Sequence, residues 1–245
     1  MKTLVLGGTK EAKTIAQALH SQGRTVVYSL AGLTSEKTPS TGYERRTGGF
    51  GGVDGLVSYL QVQAIDCVVD ATHPYAVRIS QHALQAARRC QVPLFMYQRA
   101  GWEPEPGDHW VVAHDWEDLV YKLQAYRRPL FTLGLQPLEK AESRRADQVW
   151  FVRTLPSPQQ HPAEGPQLRR IMDQGPFGLS TERALFNQIQ PDVLVSKNSG
   201  GGAVHNKIRV ARERGIPVII LARPRLPETS TSYTAIHILL DALMG

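Results

Sequence analysis

Short apolar runs alternate with longer stretches of helical spacing from the first residues onward. "TLVLGG" has the length of a buried strand, and "EAKTIAQALHSQG" carries an apolar stripe that stops at Gly23. "TVVYSL", "DCVVDA" and "PLFMYQ" repeat the strand pattern, with helical stretches "GLVSYLQVQAI" and "PYAVRISQHALQAARRC" among them. Apolar strands separated by helices predict a parallel sheet covered on both faces. The polar, proline-rich "GWEPEPGDHW" then breaks the pattern and reads as a linker. Beyond it come strand "WVVA", helix "WEDLVYKLQAY", strand "LFTLG", helix "QPLEKAES" and strand "QVWFVRTL". Helices "PQLRRIM" and "TERALFNQI", strand "DVLVS", helix "AVHNKIRVARERG" and strand "PVIILA" follow, and "RPRLPETSTS" leads into a closing helix. The expectation is an α/β chain of two Rossmann-like domains with mainly parallel sheets, residues 1–100 and 101–245, and a cleft between them.

Candidate chemistry gathers in the loops that follow the strands. Gly7, Gly8 and Thr9 sit between the first strand and the first helix, where dinucleotide folds place a pyrophosphate against a helix N-terminus. The G-x-G-x-x-G/A fingerprint is incomplete, since Thr9 replaces its middle glycine, and a tight turn without a ligand is the other reading. The second strand ends at Ser29 with no carboxylate at its tip, which disfavours strict selection of NAD and permits a 2′-phosphate. Gly48, Gly49, Gly51 and Gly52 surround Phe50 ahead of a helix, a density usually explained by positive φ or close ligand approach. "VVDATHPYA" places Asp70, Thr72 and His73 at a strand end, with Pro74 expected at the first helical position. "VSKNSGGGAVHNK" puts Lys197 ahead of its glycines, whereas a Walker loop needs the lysine after them, so that kind of phosphate loop is excluded.

Composition narrows the partners. The 245 residues are 42% hydrophobic and 20% charged, an ordinary globular balance. No apolar stretch reaches the roughly 18 residues of a membrane span, and the brief apolar start lacks the core of a signal peptide. A cytoplasmic protein is therefore expected. Cys67 and Cys90 are too few for a metal cluster or a disulfide framework, and Cys67 within "IDCVVDA" reads as a buried, inert thiol. The formal charge of +6 is dispersed in short arginine pairs without a zinc-finger or RNP pattern. That favours an anionic small molecule over nucleic acid or a membrane surface.

The segments "GGTKEA", "SLAG", "GGFGG", "DATHPYA", "GPF" and "KNSGG", in that order from Leu4 to about Pro227, resemble the precorrin-6A reductases of cobalamin biosynthesis. The resemblance implies an oxidoreductase that passes hydride from NADPH, with NADH as the alternative, to a C=C bond of a ring-contracted tetrapyrrole, converting precorrin-6A to precorrin-6B. The cobalt-containing precorrin-6A of the anaerobic route is the alternative substrate, and a non-catalytic dinucleotide sensor is the reading from another class. A polycarboxylate tetrapyrrole is the implied partner, with other enzymes of the pathway as further candidates; no metal is implied. Carried over residue by residue, Gly7, Gly8 and Thr9 would hold the pyrophosphate, and Ser29, Ala31 and Gly32 would line the adenosine end. Gly49, Phe50 and Gly51, with Thr72, His73 and Pro74, would face the nicotinamide and the macrocycle. Lys197, Asn198, Ser199 and Gly200 would hold substrate from the second domain, and His73, Tyr75, Lys197 or water would supply the proton. Arg78, Arg153, Lys197, Lys207 and Arg223 are the candidates for substrate carboxylates. Leu33 stands where many relatives carry arginine, and Lys37 or Arg46 would have to replace its grip on a 2′-phosphate.

Overall fold

The structure, a computed structural model, describes residues 1–31, 42–157, 161–202, 205–227, 229 and 231–244. Gly32, Leu33 and Lys37 lie outside the described residues. In chain order the elements are β1 (Lys2–Leu6), α1 (Lys10–Ser21), β2 (Thr25–Leu30), β3 (Glu44–Thr47), α2 (Gly52–Val62), β4 (Cys67–Asp70), α3 (Val77–Cys90) and β5 (Leu94–Tyr97). They continue with β6 (Trp110–Ala113), α4 (Trp116–Lys122), β7 (Pro129–Thr132), α5 (Gln136–Glu139), β8 (Trp150–Thr154), β9 (Leu168–Met172) and α6 (Leu179–Ile189). The last are β10 (Val193–Lys197), α7 (Asn206–Glu213), β11 (Val218–Leu221), β12 (Ser232–Tyr233) and α8 (Ile236–Met244).

The chain divides into two compact units, Met1–Ala100 with Pro224–Gly245, and Gly101–Arg223. The first holds a six-stranded sheet of order β3-β2-β1-β4-β5-β12, and the second one of order β9-β8-β7-β10-β11-β6. Every strand pairing in both is parallel. Position by position the orders match, with β7 in the place of β1 and β10 in the place of β4. The sixth places are exchanged: β6, which follows β5 in the chain, completes the second sheet, and β12, which follows β11, completes the first. In each sheet the order reverses beside a central strand, β1 in the first and β7 in the second. Those two switch points, between β1 and β4 and between β7 and β10, are where an open α/β sheet offers a crevice to ligands.

Strand alternation sorts the first core into two layers. Val5, Val26, Tyr28, Leu30, Cys67 and Val69 point to the side covered by α1 and α8, where Ile15, Leu19, Leu239 and Leu243 meet them. Leu4, Leu6, Val27 and Val68 point to the other side, against Leu56 and Leu60 of α2 and Ala83 and Ala87 of α3. In the second unit Leu130, Phe151, Leu194 and Ile220 pack on Phe186 of α6 and Ile208 and Ala211 of α7. On the opposite face Trp150 lies 4.7 Å from the Phe131 ring and meets Trp116 of α4 edge-on.

Four expectations from the sequence change. Residues 224–245, expected with the second domain, belong to the first unit: Met96 and Gln98 N–H groups donate to Thr231 and Tyr233 carbonyls, and α8 packs on α1. "PQLRRIM", expected as helix, forms the edge strand β9, in register with β8 from Trp150↔Leu168 to Thr154↔Met172. Its apolar spacing fits a helix, yet its side chains serve an edge where Arg170 donates to Thr154 Oγ1 at 2.8 Å and Arg169 covers Phe151. The helix expected from Pro74 begins at Val77, because the Ala76 N–H donates to the His73 carbonyl at 2.7 Å and closes a turn around Pro74 first. The "GWEPEPGDHW" segment is no loose linker. It lies in the second unit, where Trp102 is buried and Arg212 donates to both Asp108 oxygens and to Glu105.

Candidate active site

The β1–α1 turn is built for close approach. A Cβ at Gly7 would overlap the ring of Tyr28, so only glycine lets β1 end against that side chain. Gly8 has φ +108°, a conformation that L side chains rarely adopt, and its N–H donates to Tyr28 Oη at 3.1 Å. Among the described residues other than its chain neighbours, no atom lies within 4 Å of where a Gly8 Cβ would stand. Thr9 is the N-cap of α1: its Oγ1 accepts from the Ala12 N–H at 3.0 Å and donates to the Ala71 carbonyl at 2.8 Å. The hydroxyl is thus committed twice, and it ties the β1 turn to the end of β4 across the switch point. What Thr9 can offer a ligand is its backbone and the capped helix end.

At the neighbouring strand tips Arg46 organises the loop. Its Nη1 donates to Ser29 Oγ and to the Gly48 carbonyl, both at 2.9 Å, and its Nη2 to the Gly49 carbonyl at 3.0 Å. The guanidinium lies 3.8 Å from the Phe50 ring centroid, and Phe50 in turn meets Tyr59 edge-on. Gly48 and Gly51 have φ of +112° and +79°, and a Cβ at Gly49 would meet nothing within 4 Å. Ala31, exposed, follows β2 directly. The β2 and β3 tips therefore present a held cation and an open glycine surface, with no carboxylate among the described residues there.

At the end of β4, Asp70 holds the next loop. Its Oδ1 accepts from the Thr72 N–H at 3.0 Å and from Thr72 Oγ1 at 2.7 Å, while its buried Oδ2 has no hydrogen-bond partner. His73 Nδ1 accepts from the Tyr75 N–H at 3.3 Å. The His73 and Tyr75 rings lie 5.6 Å apart, Pro74 is buried beneath them, and Arg78 stands exposed in the first turn of α3. Gly7, Gly8, Thr9, Ser29, Ala31, Gly49, Phe50, Gly51, Thr72, His73 and Pro74 thus all occupy the C-terminal ends of four adjacent strands, β3, β2, β1 and β4.

The remaining candidates belong to the second unit. Lys197 ends β10, half-buried, and burial lowers its pKa. Asn198 is a clamp: its Oδ1 accepts from the Trp102 N–H at 2.7 Å and its Nδ2 donates to the Trp102 carbonyl at 3.1 Å. Its own carbonyl accepts from Arg223 Nε at 2.8 Å. Trp102 Nε1 also donates to the Gly201 carbonyl at 2.7 Å, so Trp102 anchors the loop at two points, by its backbone at Asn198 and by its indole at Gly201. Ser199 and Gly200 are buried, and Gly200 and Gly201 both have φ +68°. The side chain of Asn198 is thus engaged in shaping the loop, which leaves Lys197 as its projecting ionisable group.

Beside Lys197 the structure adds residues that the strand-end argument left undistinguished. Lys207, in the first turn of α7, is 4% exposed and donates from Nζ to Thr132 Oγ1 at 3.0 Å, at the end of β7. Arg153, in β8, pairs with Glu182 of α6 at 2.9 Å, both buried, and covers the Phe177 ring. Burial, with the charges of Arg153 and Lys197 against that of Glu182, pushes Lys207 down to about 7. A signal for Lys207 was present in the sequence. Lys207, Val210 and Ala211 follow i, i+3, i+4 spacing, which sets a lysine in an apolar stripe. Asp70 was placed at its strand end by the sequence, but its hold on Thr72 was not, and Tyr28 under the glycine turn carried no comparable signal. Among the described residues no group of three or more His, Cys, Asp or Glu side chains could hold a metal ion, and no helix is long and apolar enough to cross a membrane.

Two doubly wound parallel sheets with polar loops collected at both switch points define a Rossmann-like α/β protein of two units. The family model described as precorrin-6x reductase CbiJ/CobK matches residues 2–243, and the chain belongs to that family. The precorrin-6A reductase of Rhodococcus erythropolis is 39% identical over 229 residues, covering 92% of this chain and 90% of that protein. The cobalt-precorrin-6A reductase of Priestia megaterium is 27% identical over 257 residues, covering 99% and 98%. The solved structure of CobK precorrin-6A reductase superimposes with a TM-score of 0.88 at 32% identity, covering all of this chain and 96% of that one.

Proposed function

We propose that the chain reduces a ring C=C bond of metal-free precorrin-6A, giving precorrin-6B in cobalamin biosynthesis, with NADPH as the hydride donor. Family membership supports the reduction. The higher identity to a precorrin-6A reductase than to a cobalt-precorrin-6A reductase supports the metal-free substrate. The observation that carries the cofactor reading is the first switch point. A glycine turn meets a helix capped by Thr9, and the adjacent β2 tip holds Arg46 on Ser29 instead of a carboxylate. These residues fit a dinucleotide: Gly7, Gly8 and the end of α1 suit a pyrophosphate, and Arg46 suits a 2′-phosphate.

When bound, NADPH supplies the hydride; the chain's own groups orient the reactants and handle the proton. His73 lies in the loop that Asp70 fixes through the Thr72 N–H and hydroxyl, within reach of the strand ends at the first switch point. Lys197, depressed by burial, gives up a proton more readily than a solvated lysine. On this reading His73→Ala lowers turnover more than it weakens NADPH binding, and an unchanged single-turnover rate removes His73 from the proton path.

The test is oxidation of NADPH and of NADH by the purified protein with precorrin-6A, with and without cobalt in the macrocycle. Reduction of the metal-free form with NADPH preferred is the expected result. Preference for the cobalt form would reassign the substrate, and no reduction of either would leave a dinucleotide-binding protein that is not this enzyme.

A further inference from the structure

We infer that the end of β10 and the first turn of α7 form a carboxylate pocket whose central cation, Lys207, is charged by the ligand it receives: the amine takes up a proton from solvent as a substrate carboxylate enters. The inference rests on the polycarboxylate tetrapyrrole reading given above.

Among the described residues, several elements supply groups around Lys207. β7 supplies the Thr132 hydroxyl, β8 Arg153, β10 Lys197, and α6 Glu182. Trp102 lies 5.8 Å from Lys207 Nζ and 5.5 Å, ring to ring, from His205 at the N-terminus of α7. The one carboxylate in this set, Glu182, pairs through Oε1 with Arg153, and its Oε2 is buried without a hydrogen-bond partner. Lys207 has the Thr132 hydroxyl as its hydrogen-bond partner and no carboxylate within ion-pair distance among the described residues. A charged ammonium buried beside two other cations without a counterion is unfavourable, so the amine sheds its proton near neutrality. An entering carboxylate supplies the missing counterion and reverses that preference.

The setting is also a place for a ligand, since it lies at the second switch point, between β7 and β10. The proton balance is simple: neutral amine, carboxylate and one solvent proton become an ammonium–carboxylate pair, with no bond made or broken in the ligand. Lys207 is on this account a binding residue and need not touch the reacting carbon.

Isothermal titration calorimetry of precorrin-6A, without nicotinamide and under exclusion of oxygen, tests this in two buffers of different ionisation heat. At about pH 8 the wild-type protein should take up roughly 0.9 proton per ligand bound, falling towards half at about pH 7. Lys207→Arg keeps a permanent charge, so it should still bind but take up no proton. Lys207→Met should bind about tenfold or more weakly at about pH 7 while retaining native tryptophan fluorescence. Wild-type binding with no proton uptake, or uptake that persists in Lys207→Met, overturns the inference while leaving the reductase reading intact. Absence of both precorrin-6A binding and turnover overturns the two together.

Discussion

A lysine that is neutral in the fold and charged when unfolded weakens the protein that contains it, and the cost depends on pH in a calculable way. Lys207 falls from an ordinary 10.5 to about 7 because it is buried among other cations. Between those values the unfolded chain binds the additional proton, so stability rises as pH rises through that window. The displacement corresponds to about 4–5 kcal/mol of lost stability at pH 7 and below, and about 2 kcal/mol at about pH 9. Lys207→Met removes the titrating group and retains most of the buried stem. The change gives up one hydrogen bond, worth about 1 kcal/mol, but Thr132 Oγ1 keeps its bond to the Val195 carbonyl at 3.1 Å. The variant should therefore exceed wild type by about 3 kcal/mol near pH 7 and by about 1 kcal/mol near pH 9.

The assay is favourable, because all 4 tryptophans, Trp102, Trp110, Trp116 and Trp150, lie in Gly101–Arg223 and report on the second unit alone. Urea unfolding followed by their emission, at matched pH for both proteins, gives the difference directly. A gap that stays constant from about pH 7 to 9, or a variant less stable than wild type at pH 7, would refute the assignment of a neutral amine.

Three further outcomes follow from single contacts. On the proposed cofactor reading, Arg46→Ala should weaken NADPH about tenfold or more beyond any loss for NADH in fluorescence titrations, since both lose the loop contacts to Ser29, Gly48 and Gly49 and NADPH alone also loses a partner for its 2′-phosphate; an equal loss for both would assign Arg46 to loop shape alone. Asn198→Ala leaves the Trp102 N–H and carbonyl without their clamp, which should cost the second unit about 2–3 kcal/mol and raise amide exchange at Trp102; unchanged exchange there would show that the loop is held by the indole alone. Burial pushes the Cys67 thiol up to about 12, so iodoacetamide at about pH 8 should leave it unmodified in the folded protein and label it after unfolding.

Strand and helix periodicity carried most of the architecture, because buried parallel strands announce themselves as continuous apolar runs. The elements it missed lie on sheet edges. β3 is "ERRT" with no apolar residue, and β12 is a two-residue pairing on β5; each is specified by its neighbour strand and not by its own pattern. "PQLRRIM" failed for the same reason, since an edge strand with one solvated side tolerates helical spacing. The exchange of β6 and β12 left no local trace, as strand partners are chosen across the chain. Glycine loops told where ligand chemistry could sit, but they did not tell which side chains there were already engaged. Thr9 and Asn198 read as ligand groups in the sequence, and their side chains also serve as a cap and a clamp, whereas Lys207 looked like one basic residue among many until its burial set it apart.

The two sheets share one strand order, yet their switch points have diverged in a physically consistent way. At the first, β1 leads through a glycine turn into a helix of 12 residues capped by Thr9, so the positive character comes from backbone N–H groups. At the second, β7 leads into a helix of 4 residues whose N-cap, Leu135, makes no side-chain cap bond, so little helix dipole reaches that crevice. The basic groups there are instead side chains on separate elements: Lys197 and Arg153, with Lys207, whose amine burial brings close to neutrality. Backbone amides suit a compact diphosphate that approaches the chain closely. Side-chain cations at the ends of different elements suit carboxylates carried on the separate arms of a large ring. On the proposed reading, the crevice with the glycine turn suits the cofactor and the crevice with the lysines suits the substrate. If the inference for Lys207 holds, the stability lost there follows from what the second crevice binds and not from how it folds.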